Sequence, residues 1–93
     1  MMQTTTFTYA DPATGAIEHL ERILVSAAGR SRRLLLNIDQ LPVLDNAAIR
    51  GLIRMLRRVR EAGGTLVLCV TRPEHRSMLR LTALDRVFEV AAC

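Results

Sequence analysis

Two carboxylates, Asp39 and Asp45, flank one short loop (Asp39-Gln40-Leu41-Pro42-Val43-Leu44-Asp45), where a carboxylate pair is able to divide general acid and general base work. Each has a simpler account, Asp39 as a turn residue and Asp45 as the cap of the helix that follows. The histidines, His19 and His75, fall on different expected helices with no nucleophile–base pair beside them in sequence, and both are expected at the surface. Cys69 sits inside the apolar run TLVLCV and Cys93 ends the chain, a separation that matches no metal or redox spacing. Cys69 is expected to be a small buried apolar side chain, and a bridge to Cys93 is not expected in a reducing compartment. The chain holds no HExxH, CxxC, GxSxG or GxGxxG pattern and no GxxxxGK[ST] phosphate loop. These residues point to no catalytic residues, no metal site, no cofactor and no enzyme.

What remains is charge. Arg50, Arg54, Arg57 and Arg58 crowd one segment in which only Glu61 offsets them. They are either the solvated face of an ordinary surface helix or an electropositive contact patch. Guanidinium groups suit carboxylate- or phosphate-bearing partners because they donate in a planar fork. The net charge of +4 agrees with acidic partners without choosing among them. Nucleic acid is not expected, because Phe7, Tyr9 and Phe88 are too few to form a stacking platform.

Those residues must be positioned by alternating strands and helices. TTTFTY (residues 4–9) is β-branched and aromatic, and predicts a first strand. Asp11-Pro12 predicts a helix start, and Ile17, Leu20, Leu24 and Ala28 supply its apolar stripe up to Gly29, with Glu18, Glu21 and Arg22 elsewhere. The run at 34–38 predicts a strand buried on both faces, as in a parallel sheet. Pro42 excludes a helix from the next loop, and Asp45 predicts the cap of a second helix. Ile49, Leu52, Ile53, Leu56 and Val59 form that helix's core stripe, with the arginines on or beside the opposite face and Gly63-Gly64 as the stop. Residues 65–70 predict a second buried strand, Pro73 a third, shorter helix with Met78, Leu79 and Leu81, and residues 87–90 an edge strand. The order β-α-β-α-β-α-β implies a largely parallel sheet with right-handed crossovers.

Ninety-three residues suit one small domain spanning 1–93, and the 49% apolar content with few aromatics implies a core of Leu, Ile, Val and Ala. No stretch approaches the roughly 20 apolar residues that cross a bilayer, so no direct membrane insertion is expected. Without a signal-peptide pattern, a cytoplasmic location is the default expectation.

The stretch LLLNIDQLPVLDNAAIRGLIRMLRRVREAGGTLVLCVTRPEHRSMLRLTALDRVFEV resembles the STAS domain of anti-sigma factor antagonists. The resemblance rests on a buried strand, an Asp-Ser-Ser-Gly-like turn, a helix ending in Gly-Gly, another buried strand, and a Gly-Leu-Asp-x-Phe-like ending. That ending is here Ala83-Leu84-Asp85-Arg86-Val87-Phe88, and the whole match covers about residues 11–90. It implies an α/β, STAS-like single domain with a mixed, mostly parallel sheet, shortened at the N-terminus and lacking a fourth helix. It also implies that the residue after the turn aspartate is the family's phosphoacceptor, modified by a partner serine kinase of the anti-sigma type. This chain has Asn46 there, then Ala47 and Ala48, and no hydroxyl to modify.

The function so implied is a non-enzymatic protein–protein interaction domain in bacterial transcription signalling. It would bind a kinase-like anti-sigma factor, a serine kinase-like ATPase, constitutively and without a phospho-switch. The alternative is the small cytoplasmic STAS subunit of an ABC-type lipid transporter, bracing its ATPase. Expected partner contacts are Leu44, Asp45, Asn46, Ala47, Ala48, Arg50, Arg54 and Arg57. A homodimer would cover apolar sheet or edge surface left open. A third class, small-ligand or anion binding near Asp45, needs a concave pocket at the strands' C-terminal ends.

Overall fold

Apolar runs too short for helices alternate with segments patterned at 3.6 residues, and the chain folds accordingly. The computed structural model describes residues 5–92. It contains strands β1 (Thr5–Thr8), β2 (Arg33–Asn37), β3 (Thr65–Cys69) and β4 (Glu89–Ala91), with helices α1 (Thr14–Ala28), α2 (Asn46–Glu61) and α3 (Pro73–Leu81) between them. A 3-10 turn, Leu84–Arg86, precedes β4. The strands stand in the order β1-β2-β3-β4 and every pair is parallel, so the sheet is wholly parallel among the described residues rather than mixed. Thr4, at the start of the expected first strand, lies outside the described residues.

An order that never doubles back puts successive right-handed crossovers on one face of the sheet. The core agrees. Leu24 and Ala28 of α1, Leu52, Met55, Leu56 and Val59 of α2, and Leu79 of α3 join Leu34, Leu36, Leu66 and Leu68 in a single cluster. β2 therefore differs from expectation: Leu34 and Leu36 are fully buried, whereas Leu35 and Asn37, on the other face, are only half-buried. On that helix-free face Arg33 and Glu89 pair across β3 through two hydrogen bonds, 2.9 and 2.7 Å long. The register sets them beside Thr65 and Val67, and Val67 is buried without belonging to the helix-side cluster. Cys69 shares that face and is disulfide-bonded, which corrects the expected reduced thiol. Cys93 lies outside the described residues.

Other boundaries move for local reasons. α1 begins at Thr14 rather than beside Asp11, because Asp11 Oδ1 accepts the Ala13 N–H at 2.9 Å and closes a turn ahead of the helix. In α2, Met55 is buried and Ile53 is 38% exposed, so the core stripe is rotated slightly from the expected one. Ala83 takes the left-handed conformation (φ 58°) between α3 and the 3-10 turn, at a cost of about 1–2 kcal/mol that a glycine would not incur. Among the described residues no helix is long and apolar enough to cross a membrane.

Candidate docking site

In a parallel sheet the loops that follow the strands open at one pole, and ligands of open α/β sheets gather there. Asp39, Asp45, Thr71 and the N-termini of α2 and α3 all lie at that pole. Asp45 caps α2 as expected: its Oδ1 accepts the Ala48 N–H at 2.9 Å, satisfying one of the donors that a helix start leaves unpaired. Leu44 and Ala48 are buried and anchor the corner, while Asp45, Asn46 and Ala47 are exposed on it. Of the expected contacts in the loop, those three are the ones a partner can reach.

Tyr9 supports the corner from below. It is buried at the end of β1, and its hydroxyl donates to Ala48 O at 3.2 Å. Gly51, one turn further on, makes room: a Cβ there would stand 2.3 Å from the hydroxyl and 2.8 Å from Ile17 Cδ1. Burial, with the nearby negative charges of Asp45 and Asp11, pushes the Tyr9 phenol up to about 12.

The loop is latched from the β3–α3 turn. Asp39 Oδ1 accepts the N–H groups of Thr71 (2.9 Å) and Arg72 (3.1 Å), and its Oδ2 accepts the Thr71 hydroxyl. Burial raises the Asp39 carboxyl, but the hydrogen bonds from Thr71 and Arg72 and the nearness of His75 outweigh it and leave it below its ordinary value. Arg72 Nη1 donates to Leu41 O at 3.0 Å, and His75 Nε2 donates to the same oxygen at 2.7 Å. His75 is thereby buried, against the expectation of a surface residue, whereas His19 is exposed. A histidine in the first turn of a helix is unremarkable in sequence. Only the fold brings the Leu41 carbonyl to it.

The arginine face of α2 is divided. Glu21 of α1 is buried and holds two of the four, with Oε2 2.5 Å from Arg54 Nε and Oε1 2.9 Å from Arg58 Nε. Its burial corrects the expectation that placed Glu21 away from the apolar stripe, although the spacing carried a signal. Ile17, Glu21, Leu24 and Ala28 follow the i, i+4, i+7, i+11 spacing of one helical face, and a carboxylate on an apolar stripe requires a cationic partner. Arg50, Ile53, Arg54, Arg57, Arg58 and Glu61 line an open pocket of about 330 Å³ on the solvent side. Among the described residues no cluster of His, Cys, Asp or Glu is placed to hold a metal ion. The site can offer backbone N–H groups, a carboxamide and guanidinium groups. His75 is buried, with its Nε2 engaged by Leu41 O.

These features define a small α/β module that presents a capped helix end flanked by arginines. The model of the STAS domain family matches residues 13–92, and the chain belongs to that family. Among curated proteins it is similar to BtrV of Bordetella bronchiseptica, provisionally named as an anti-sigma factor antagonist, with 28% identity over 75 residues. That match takes in 80% of this chain and 65% of BtrV, so the chain spans just under two thirds of the relative's length. Among solved structures, a Thermotoga maritima protein with the same provisional description superposes with a TM-score of 0.63 at 14% identity, over 97% of this chain and 74% of the other. The anti-sigma factor antagonist SpoIIAA in its unphosphorylated form superposes with a TM-score of 0.55 at 19% identity, over 94% and 91% of the two chains. At these identities the structural likeness concerns the fold.

Proposed function

We propose that this chain is a non-enzymatic docking domain of the anti-sigma factor antagonist kind, which binds a kinase-like anti-sigma factor in the cytoplasm and does so constitutively. The observation that carries the reading is the exposed corner at the start of α2, where Asn46 and Ala47 follow the Asp45 cap and supply no hydroxyl. We place Asn46 at the family's phosphoacceptor position. A phosphoryl group there would be favoured by the helix dipole and would set its charge against a docked partner. Asparagine adds no charge at that position, as an unmodified hydroxyl would add none, and the SpoIIAA structure is of the unphosphorylated form. The accessible contacts are Asp45, Asn46 and Ala47 with Arg50, Arg54 and Arg57 beyond them, Arg54 being the one paired with Glu21, and Leu44 and Ala48 set their geometry.

Asn46→Asp tests the corner. A carboxylate at the first helical position interacts favourably with the dipole by about 0.3–1 kcal/mol, so the variant should fold at least as well as the parent. Its affinity for the anti-sigma factor, measured by calorimetry, should nevertheless fall about tenfold or more, equivalent to about 1.4 kcal/mol. Unchanged affinity would remove this corner from the interface. Intact-mass measurement of protein purified from its own cells should show no added phosphoryl group, and finding one would overturn the constitutive reading.

A further inference from the structure

Asn46, Arg50, Ile53 and Arg57 are spaced i, i+4, i+7 and i+11, so they form one continuous strip along the solvent face of α2. The strip starts at the docking corner. Its two sides are pinned within the molecule: Arg54 and Arg58 are held by Glu21 of α1, and Arg60 donates to Val87 O at 3.1 Å. Among the described residues, Arg50 and Arg57 have no hydrogen bond or ion pair, and both are exposed. Seven residues of helix set them about 10.5 Å apart, two turns, with Ile53 between. Ile53 is one of the few large apolar side chains that the fold leaves exposed, and it lines the same pocket of about 330 Å³.

Two free cations two turns apart, with an aliphatic group between them, are the complement of an amphipathic helix bearing carboxylates at the same interval. We infer that the Asn46–Arg50–Ile53–Arg57 strip seats an acidic amphipathic helix of the protein partner, with carboxylates on Arg50 and Arg57 and an aliphatic side chain against Ile53. This deepens the docking reading proposed above and rests on it. Arg54 and Arg58 form the wall of the groove and do not bind, because Glu21 pairs with both and Glu61, 3.6 Å from Arg58, supplies the second carboxylate. A phosphate backbone would use all the arginines and leave Ile53 without a role, so an acidic helix is the better fit.

The test uses the isolated full chain, labelled with nitrogen-15, and a blocked helical peptide carrying two Glu residues seven positions apart with a Leu between them. Amide shifts should appear at Arg50, Ile53 and Arg57. Binding should weaken about tenfold or more when the peptide's Glu residues become Gln, and likewise on the chain carrying Arg50→Glu and Arg57→Glu. A peptide with Lys at the two positions should bind that double variant and not the parent. Reversing two exposed, unpaired arginines leaves the fold intact, which the unchanged remainder of the spectrum would confirm. Equal binding of the Gln peptide, shifts mapping to another face, no binding at all, or displacement by a short oligonucleotide at lower concentration would each overturn the inference. Since no anti-sigma factor enters this experiment, its failure leaves the Asn46→Asp result standing, and the reverse also holds.

Discussion

Tyr9 and Gly51 are one device made of two residues. The phenol enters the first turn of α2 only because position 51 has no side chain, and the space a Cβ would need is already occupied by the hydroxyl 2.3 Å away. Gly51→Ala should therefore destabilise the fold by about 1–3 kcal/mol through overpacking, although alanine is the better helix former. Tyr9→Phe alone should cost about 0.5–1.5 kcal/mol, the usual worth of a lost hydrogen bond. In the double variant the crowding hydroxyl is gone, so the two losses should not add. Urea unfolding followed by circular dichroism measures all four corners of the cycle, and strict additivity would disprove the coupling. The sequence offered a hint of this in a glycine set mid-helix, where it is unfavourable without a reason. It could not name Tyr9 as the reason, since the two residues lie far apart in sequence and meet only when β1 and α2 pack.

Among the elements, α1 and α2 are joined by more than apolar packing, because Glu21 is buried between Arg54 and Arg58. Glu21→Gln keeps the shape and removes the charge, leaving Arg54 without its counter-ion and Arg58 with Glu61 alone, 3.6 Å away. A loss of about 1.5–3 kcal/mol is expected, the scale of a hydrogen bond to a charged group, read from urea unfolding at low and moderate salt. A loss that disappears in salt would place the pair at the surface instead, since buried pairs are screened much less. The alternation of strands and helices was readable throughout, as were the Asp45 cap and the Pro73 start, because each depends on neighbours in sequence. The one-sided burial of β2 was not. It follows from the spatial order of the strands, which periodicity along one strand does not contain. The same holds for His75 and Asp39, whose partners Leu41 and Thr71 are supplied by other loops.

For the molecule as a whole, the single tyrosine provides a pH-dependent term in stability. Burial first, then Asp45 and Asp11, raise its folded value from 10.0 to about 12. The neutral phenol is thus favoured in the folded state, and the stability it lends is complete below pH 10 and lost as pH rises towards 12. Unfolding free energy should decline across that interval, and Tyr9→Phe should flatten the decline. Ultraviolet difference absorbance, with no tryptophan to interfere, should show phenolate formation near pH 12 in the folded chain and near pH 10 in urea. Coincident titrations in the two states would contradict the buried, hydroxyl-donating tyrosine.

The strand order has a practical corollary. With all four strands running one way, the chain enters β1 at the end of the sheet remote from Asn46 and leaves β4 at the same end as Asn46, two strands across. A fluorophore or affinity handle fused ahead of β1 would therefore sit at the rear of the molecule, whereas one fused behind β4 would share the front with whatever docks there. Surface-immobilised assays should hang the protein by its first strand.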